Sequence, residues 1–270
     1  MKKICDLLEL CPTDKTKFPP TLLYNEGWML RLLLDWLTTN RAVDYFNFPS
    51  NVNWYSEAAL ASPFHPRRQR DKCAESYTHA DGAIGQFVIG RKGASYLKLK
   101  RDATHFVVTE AKMFSKFTSG VTHAPNYNQA ARNVACISYI LMKALSKTER
   151  KLEDMDSVGF YLIAPKSQIE KGIFKKYMKH DSVRETVEER LSGYERCDVE
   201  QKQPKDNESK EEWFKDWFLP TLEKIKMETL SWEQIIESVN RKDGKNGKEF
   251  SEFYSLCLKY NKPLAKNKNY

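Results

Sequence analysis

The run SVGFYLIAP, Ser157 to Pro165, constrains this chain most. It is apolar almost without interruption and of strand length, the pattern of a strand covered on both faces rather than one alternating between core and water. Before it, from about Asn126 to Leu145, apolar residues recur at Ala130, Val134, Ile137 and Leu141, which is helical spacing. A buried strand reached through a helix implies a βαβ crossover, so the chain needs a sheet containing parallel pairs with helices packed on it.

The strand that feeds that crossover is Thr104 to Met113, THFVVTEAKM. Its first half is β-branched and aromatic, which favours extended backbone. The strand period of two puts Phe106, Val108, Glu110 and Lys112 on one face. An acid and a lysine at the end of an apolar strand must be desolvated together, which is costly unless they find partners such as a metal ion or an anion. The plain alternative is an exposed strand end with a weak salt bridge. Upstream, Thr78 to Gly90 is a second strand-like run, separated from the first by a turn of hairpin length containing glycine and lysine, Arg91 to Ala103. Antiparallel pairing of the two runs places Asp81 beside Glu110 and Lys112.

An aspartate on one strand and Glu-x-Lys on the next resemble the active-site signature of the PD-(D/E)XK nuclease superfamily, with Ala80 where the name has proline. The resemblance covers roughly residues 20–165. It implies an α/β fold with a restriction-endonuclease-like core, a mixed central sheet flanked by helices. It further implies Asp81 and Glu110 as metal-binding acids, the carbonyl of Ala111 as a further ligand, and Lys112 as the residue that positions attacking water. The cofactor implied is Mg²⁺ or Mn²⁺, and the activity is phosphodiester hydrolysis in DNA, with RNA as the alternative substrate. In several branches an acid from the first core helix joins the site. Here Glu26 qualifies, because it falls on the apolar stripe Leu22, Leu30, Leu33 and Leu37 of the segment following Pro20, and Gly27 beside it would permit close approach to the sheet. A glutamine from the helix after the Glu-x-Lys strand corresponds to Gln129, with Tyr127 and Arg132 as phosphate contacts.

The bulk numbers agree with a polyanionic partner. Lysine and arginine total 44 against 36 acids, a net charge of +8. Arg41 to Tyr77 reads as irregular, mixing aromatic residues with the basic run Arg67, Arg68, Arg70 and Lys72, residue types suited to phosphate contact and base stacking. The six cysteines are scattered without a metal-binding spacing and read as reduced thiols. No segment reaches the roughly 18 apolar residues of a membrane span, and the first residues are unlike a secretory signal, so a cytoplasmic protein without membrane contact is expected.

Beyond Pro165 the chain reads as helical, with an aromatic stripe at Trp213, Phe214, Trp217 and Phe218 and a capping box at Ser231 to Gln234. The expected division is therefore a nuclease-like core over 1–165 and a mostly helical extension over 166–270 packed on it. Rival readings are a catalytically silent nucleic-acid-binding module of the same fold and a helical interaction protein. A homodimer is expected only by analogy with enzymes that cut both strands.

Overall fold

In a computed structural model, residues 2–66, 71–75, 78–90, 97–117, 120, 124–200 and 209–262 are described. The molecule is α/β. Five strands pair in chain order into one mixed sheet: β1 (Asn53–Leu60), β2 (Thr78–Gly85), β3 (His105–Ala111), β4 (Ser157–Ala164) and β5 (Lys226–Ser231). The second runs antiparallel to the first and third, and β3, β4 and β5 run parallel. Helices cover both faces. In chain order the longer ones are α1 (Glu26–Asn40), α2 (Gln129–Leu145), α3 (His180–Glu200), α4 (Trp232–Lys242) and α5 (Gly244–Asn261).

The apolar run beginning at Ser157 is the inner strand β4, with α2 as the crossover from β3. Its side chains divide between two cores. Phe160 and Leu162, with Phe106 and Val108 of β3, meet Ala130, Val134, Ile137 and Leu141 of α2. Tyr161 and Ile163, with Val107, face Leu30, Leu33, Leu34 and Leu37 of α1 together with α4 and α5. Each such side chain contributes about 1.5–3 kcal/mol by leaving water, so both strands are fixed in register from two sides. The helix starts are set by side-chain caps: Asn25 accepts from the Trp28 amide at 3.0 Å and Asn128 from the Ala131 amide at 3.1 Å. Ser231 and Gln234 form the expected capping box.

Several expectations need correction. Part of Arg41 to Tyr77 is not irregular, since Asn53 to Leu60 is the edge strand β1. The boundary at 165 does not separate a core from an extension, because β5 completes the same sheet beside β4. Both strands lie at edges and carry polar residues on exposed positions, so neither shows the apolar signal of β4. The strand-like run through Gly90 breaks at Gln86, whose side chain accepts from the Thr104 and His105 amides at 2.7 and 2.9 Å. Phe87–Ile89 then pairs with Leu97–Leu99 as a separate ribbon. The cysteines are not all free thiols: Cys73 and Cys197 are disulfide-bonded, with Cα atoms 5.6 Å apart, and Cys5, Cys11, Cys136 and Cys257 are unbonded. Among the described residues, no helix is long and apolar enough to cross a membrane.

Candidate active site

The antiparallel register pairs Gly82 with Thr109 and Ala83 with Val108, and one further step sets Asp81 opposite Glu110. Here the aspartate side chain takes over part of the ladder, its Oδ2 accepting the Ala111 amide at 2.8 Å. Glu110 has 0% of its surface exposed. Its Oε1 accepts from Lys112 Nζ at 2.5 Å and Gln129 Nε2 at 2.7 Å, and Oε2 lies 3.4 Å from Asn133 Nδ2. Lys112, 7% exposed, is fixed at its backbone: its amide donates to the Ile163 carbonyl at 2.8 Å, and its own carbonyl accepts from Trp232 Nε1 at 3.1 Å. Two carboxylates thus sit side by side with one ammonium between the sheet and α2.

The electrostatics follow from that crowding. Burial, followed by the Glu110 charge beside it, pushes Asp81 from the ordinary 3.8 up to about 8. Lys112 and the Ala111 amide pull the other way, and Glu57 adds to the rise. Glu57 lies across from Asp81 on β1, between the paired positions Ser56–Gly82 and Ala58–Ala80. It holds a left-handed backbone, φ 52, where a side chain other than glycine costs of order 1–3 kcal/mol. Its exposed carboxylate is met by Arg31 Nη2 at 3.5 Å.

Four of the expected residues therefore converge: Asp81, Glu110, Lys112 and Gln129, with Ala111 between the two acids' strands. Glu26 does not join them by any contact the structure records. Helix α1 packs on the opposite face of the sheet, over Gly82, and Glu26 lies close enough to the Cys257 thiol to help burial raise it to about 12. Gly27 is not what admits the helix, since a Cβ there would meet only Arg31 and Asn25 side chains. Gly82 is: a Cβ on it would stand 2.5 Å from Thr109 Oγ1 and 2.7 Å from Leu34. Tyr127 is also corrected. At 1% exposure it is a core residue, edge-on to Phe64, with burial holding its phenol well above the usual range, so it is not an exposed contact on the protein surface. Arg132 is directed inward, with Nη2 3.3 Å from Thr78 Oγ1 and Nε 3.8 Å from the buried Glu75 carboxylate. Lys72 is exposed, and Arg67, Arg68 and Arg70 lie outside the described residues.

Sequence reasoning missed Asn133, Trp232 and Glu57 as neighbours of the site. Asn133 carries a signal, since it stands one helical turn after Gln129 and so shares its face; Trp232 and Glu57 carry none. Among the described residues, no group of three or more His, Cys, Asp or Glu is gathered in a way that could hold a metal. The acids here are a pair, Asp81 and Glu110. Comparison with protein-family models, curated proteins and solved structures finds no match.

Proposed function

We propose that the chain is a divalent-metal-dependent nuclease with a restriction-endonuclease-like core, hydrolysing phosphodiester bonds in DNA. The observation that carries this reading is the opposition of Asp81 and Glu110 across one ladder step, with Lys112 Nζ 2.5 Å from the second acid. The site also lies at the carboxyl end of β3, where open α/β sheets place their ligands.

The donor set fits a hard cation such as Mg²⁺ or Mn²⁺. Asp81 spends one oxygen on the Ala111 amide and keeps the other, and burial together with the neighbouring Glu110 charge raises the acid to about 8, a rise that a cation between the two would oppose. Asn133 Oδ1, beside Glu110, is buried and has no hydrogen-bond donor among the described residues. The Ala111 backbone turns its amide toward Asp81, and an extended residue carries its carbonyl on the same edge. An ion held by Asp81, Glu110 and Ala111 would polarise a phosphate oxygen and acidify water. Lys112 then orients the attacking water and offsets charge that grows on the phosphate. Gln129 and Asn133 fix the Glu110 side chain in place, because both offer it N–H donors.

The test is cleavage of supercoiled, linear and single-stranded DNA by the purified protein with Mg²⁺ and with Mn²⁺. Glu110→Gln and Lys112→Ala are each expected to lower the rate by roughly 10²–10³-fold while leaving the circular dichroism spectrum unchanged. Undiminished cleavage by both variants refutes the assignment. DNA binding by a wild-type protein that cuts nothing favours the silent binding module instead.

A further inference from the structure

A second polar site lies just ahead of α2, between residues 124–127 and α3. It is a cavity of about 140 Å³ lined by Asn126, Tyr127, Thr186, Glu189, Arg190 and Arg196. At roughly 30 Å³ of liquid volume per water it has room for several waters or one tetrahedral oxyanion. The residue that sets its chemistry is Arg190. Its side chain is buried, with the residue 5% exposed, and its guanidinium lies over the rings of Phe64, Tyr194 and Tyr127 at 4.7, 5.4 and 6.0 Å. Nη2 donates to the Cys73 carbonyl at 2.6 Å, and Nε is buried with no acceptor.

A buried guanidinium is ordinarily neutralised by a carboxylate in contact. Among the described residues Arg190 has no such ion pair. Glu75, whose carboxyl group feels its charge, is engaged instead by Ser62 and Arg132. The acid that does line the cavity, Glu189, accepts from Asn126 Nδ2 at 3.0 Å, and Arg196 stands on the same wall. A stacked, planar, desolvated guanidinium in the wall of a small cavity is of a kind suited to a phosphate, whose oxygens match its N–H groups.

We infer that this cavity binds a phosphate group, and that the phosphate is the terminal one of a nucleic-acid strand. The first part rests on Arg190 and the cavity alone. The second rests on the nuclease reading and on position, because Asn126 and Tyr127 are within one turn of Gln129, which touches Glu110. A strand end seated in the cavity is thereby brought to the same end of α2 as the paired acids, and the cavity is too small to admit continuous duplex.

The experiment uses the full chain and inorganic phosphate as probe. Arg190→Gln removes the cation, and because Arg190 is packed among rings, Gly193→Leu is the second variant. Gly193 lines the cavity, and the nearest atom to a Cβ there is Arg196 Nη2 at 3.9 Å, so the new side chain fills the space without entering the core. Calorimetric titration is expected to show phosphate binding to wild type, weakened at least about tenfold in Gly193→Leu, whose phosphate-free melting temperature is not lowered. Equal binding by wild type and Gly193→Leu, or none by wild type, overturns the site. A second arm compares single strands with a 5′-phosphate, a 3′-phosphate or no terminal phosphate, bound in EDTA so that nothing is cut. A terminal-phosphate preference of about tenfold, erased by Gly193→Leu, supports the strand end. Phosphate binding without that preference overturns the strand end and assigns free phosphate. Since neither arm depends on cleavage, an inactive protein that still binds phosphate refutes the nuclease reading and leaves the site standing.

Discussion

Asp81→Asn should make the protein more stable at high pH while removing its activity. In the folded chain the aspartate is raised from 3.8 to about 8. Below the lower value both folded and unfolded chains hold the proton. Between the two values the unfolded chain has released it and the folded chain retains it, so stability falls as pH rises, and above about pH 8 the loss is complete. Each pH unit of that window corresponds to about 1.4 kcal/mol, which sets a ceiling of several kcal/mol. Relaxation of water and side chains around a part-exposed carboxylate reduces this to about 1–3 kcal/mol. Asparagine keeps an oxygen for the Ala111 amide and carries no charge. Its advantage over wild type is therefore absent near pH 4 and greatest above pH 8, where it raises the melting temperature by about 2–8 °C. Scanning calorimetry at pH 5 and pH 8.5 measures the difference. Saturating Mg²⁺ should stabilise wild type at pH 8.5 and close the gap, because the cation replaces the missing positive charge, whereas the variant responds weakly. A variant equally displaced at both pH values, or less stable at pH 8.5, refutes the electrostatic account of the acid pair.

Three further outcomes follow from the packing. Cys197→Ser opens a link between residues 124 positions apart and should lower stability by about 2–4 kcal/mol in urea unfolding; reductant acting on wild type should produce the same midpoint shift, and no shift would mean the bond does not form. Gly82→Val drives a side chain into Thr109 and Leu34 and should cost about 1–3 kcal/mol, read as a lower urea midpoint, whereas Gly27→Ala should cost less than 1. Trp232→Phe leaves the buried Lys112 carbonyl without its donor and should cost about 1–3 kcal/mol in the same assay, with a further fall in cleavage rate as the lysine loses its anchor.

What the sequence made legible was whatever local periodicity decides. Period two in β3 fixed the shared face of Glu110 and Lys112, a turn between two strand-like runs implied the antiparallel partner, and the two together brought Asp81 to them. Gln129 was legible only through the resemblance, which assigns a glutamine of the following helix to the site, and its contact with Glu110 fits a helix whose start lies near that strand's end. The failures are of another kind. The stripe on α1 shows which side of the helix is buried but not which layer of the sheet it covers, so Glu26 was assigned to the wrong face. Tyr127 and Arg132 are polar enough to read as surface, yet pairing with rings, Thr78 and Glu75 draws them inward. Cys73 and Cys197 meet only through the tertiary arrangement of the loop before β2 and α3, and edge strands such as β1 and β5 write a weak apolar pattern because one flank faces water.

The place of β5 beside β4 bears on how this chain comes to exist at all. The most apolar strand of the molecule emerges from the ribosome long before the segment that shields its outer rim, and in that interval its amides and carbonyls are open to any other extended chain. A polypeptide that ended near residue 165 would keep that rim bare permanently. The last third of the chain is thus what closes the rim that the first two thirds leave open.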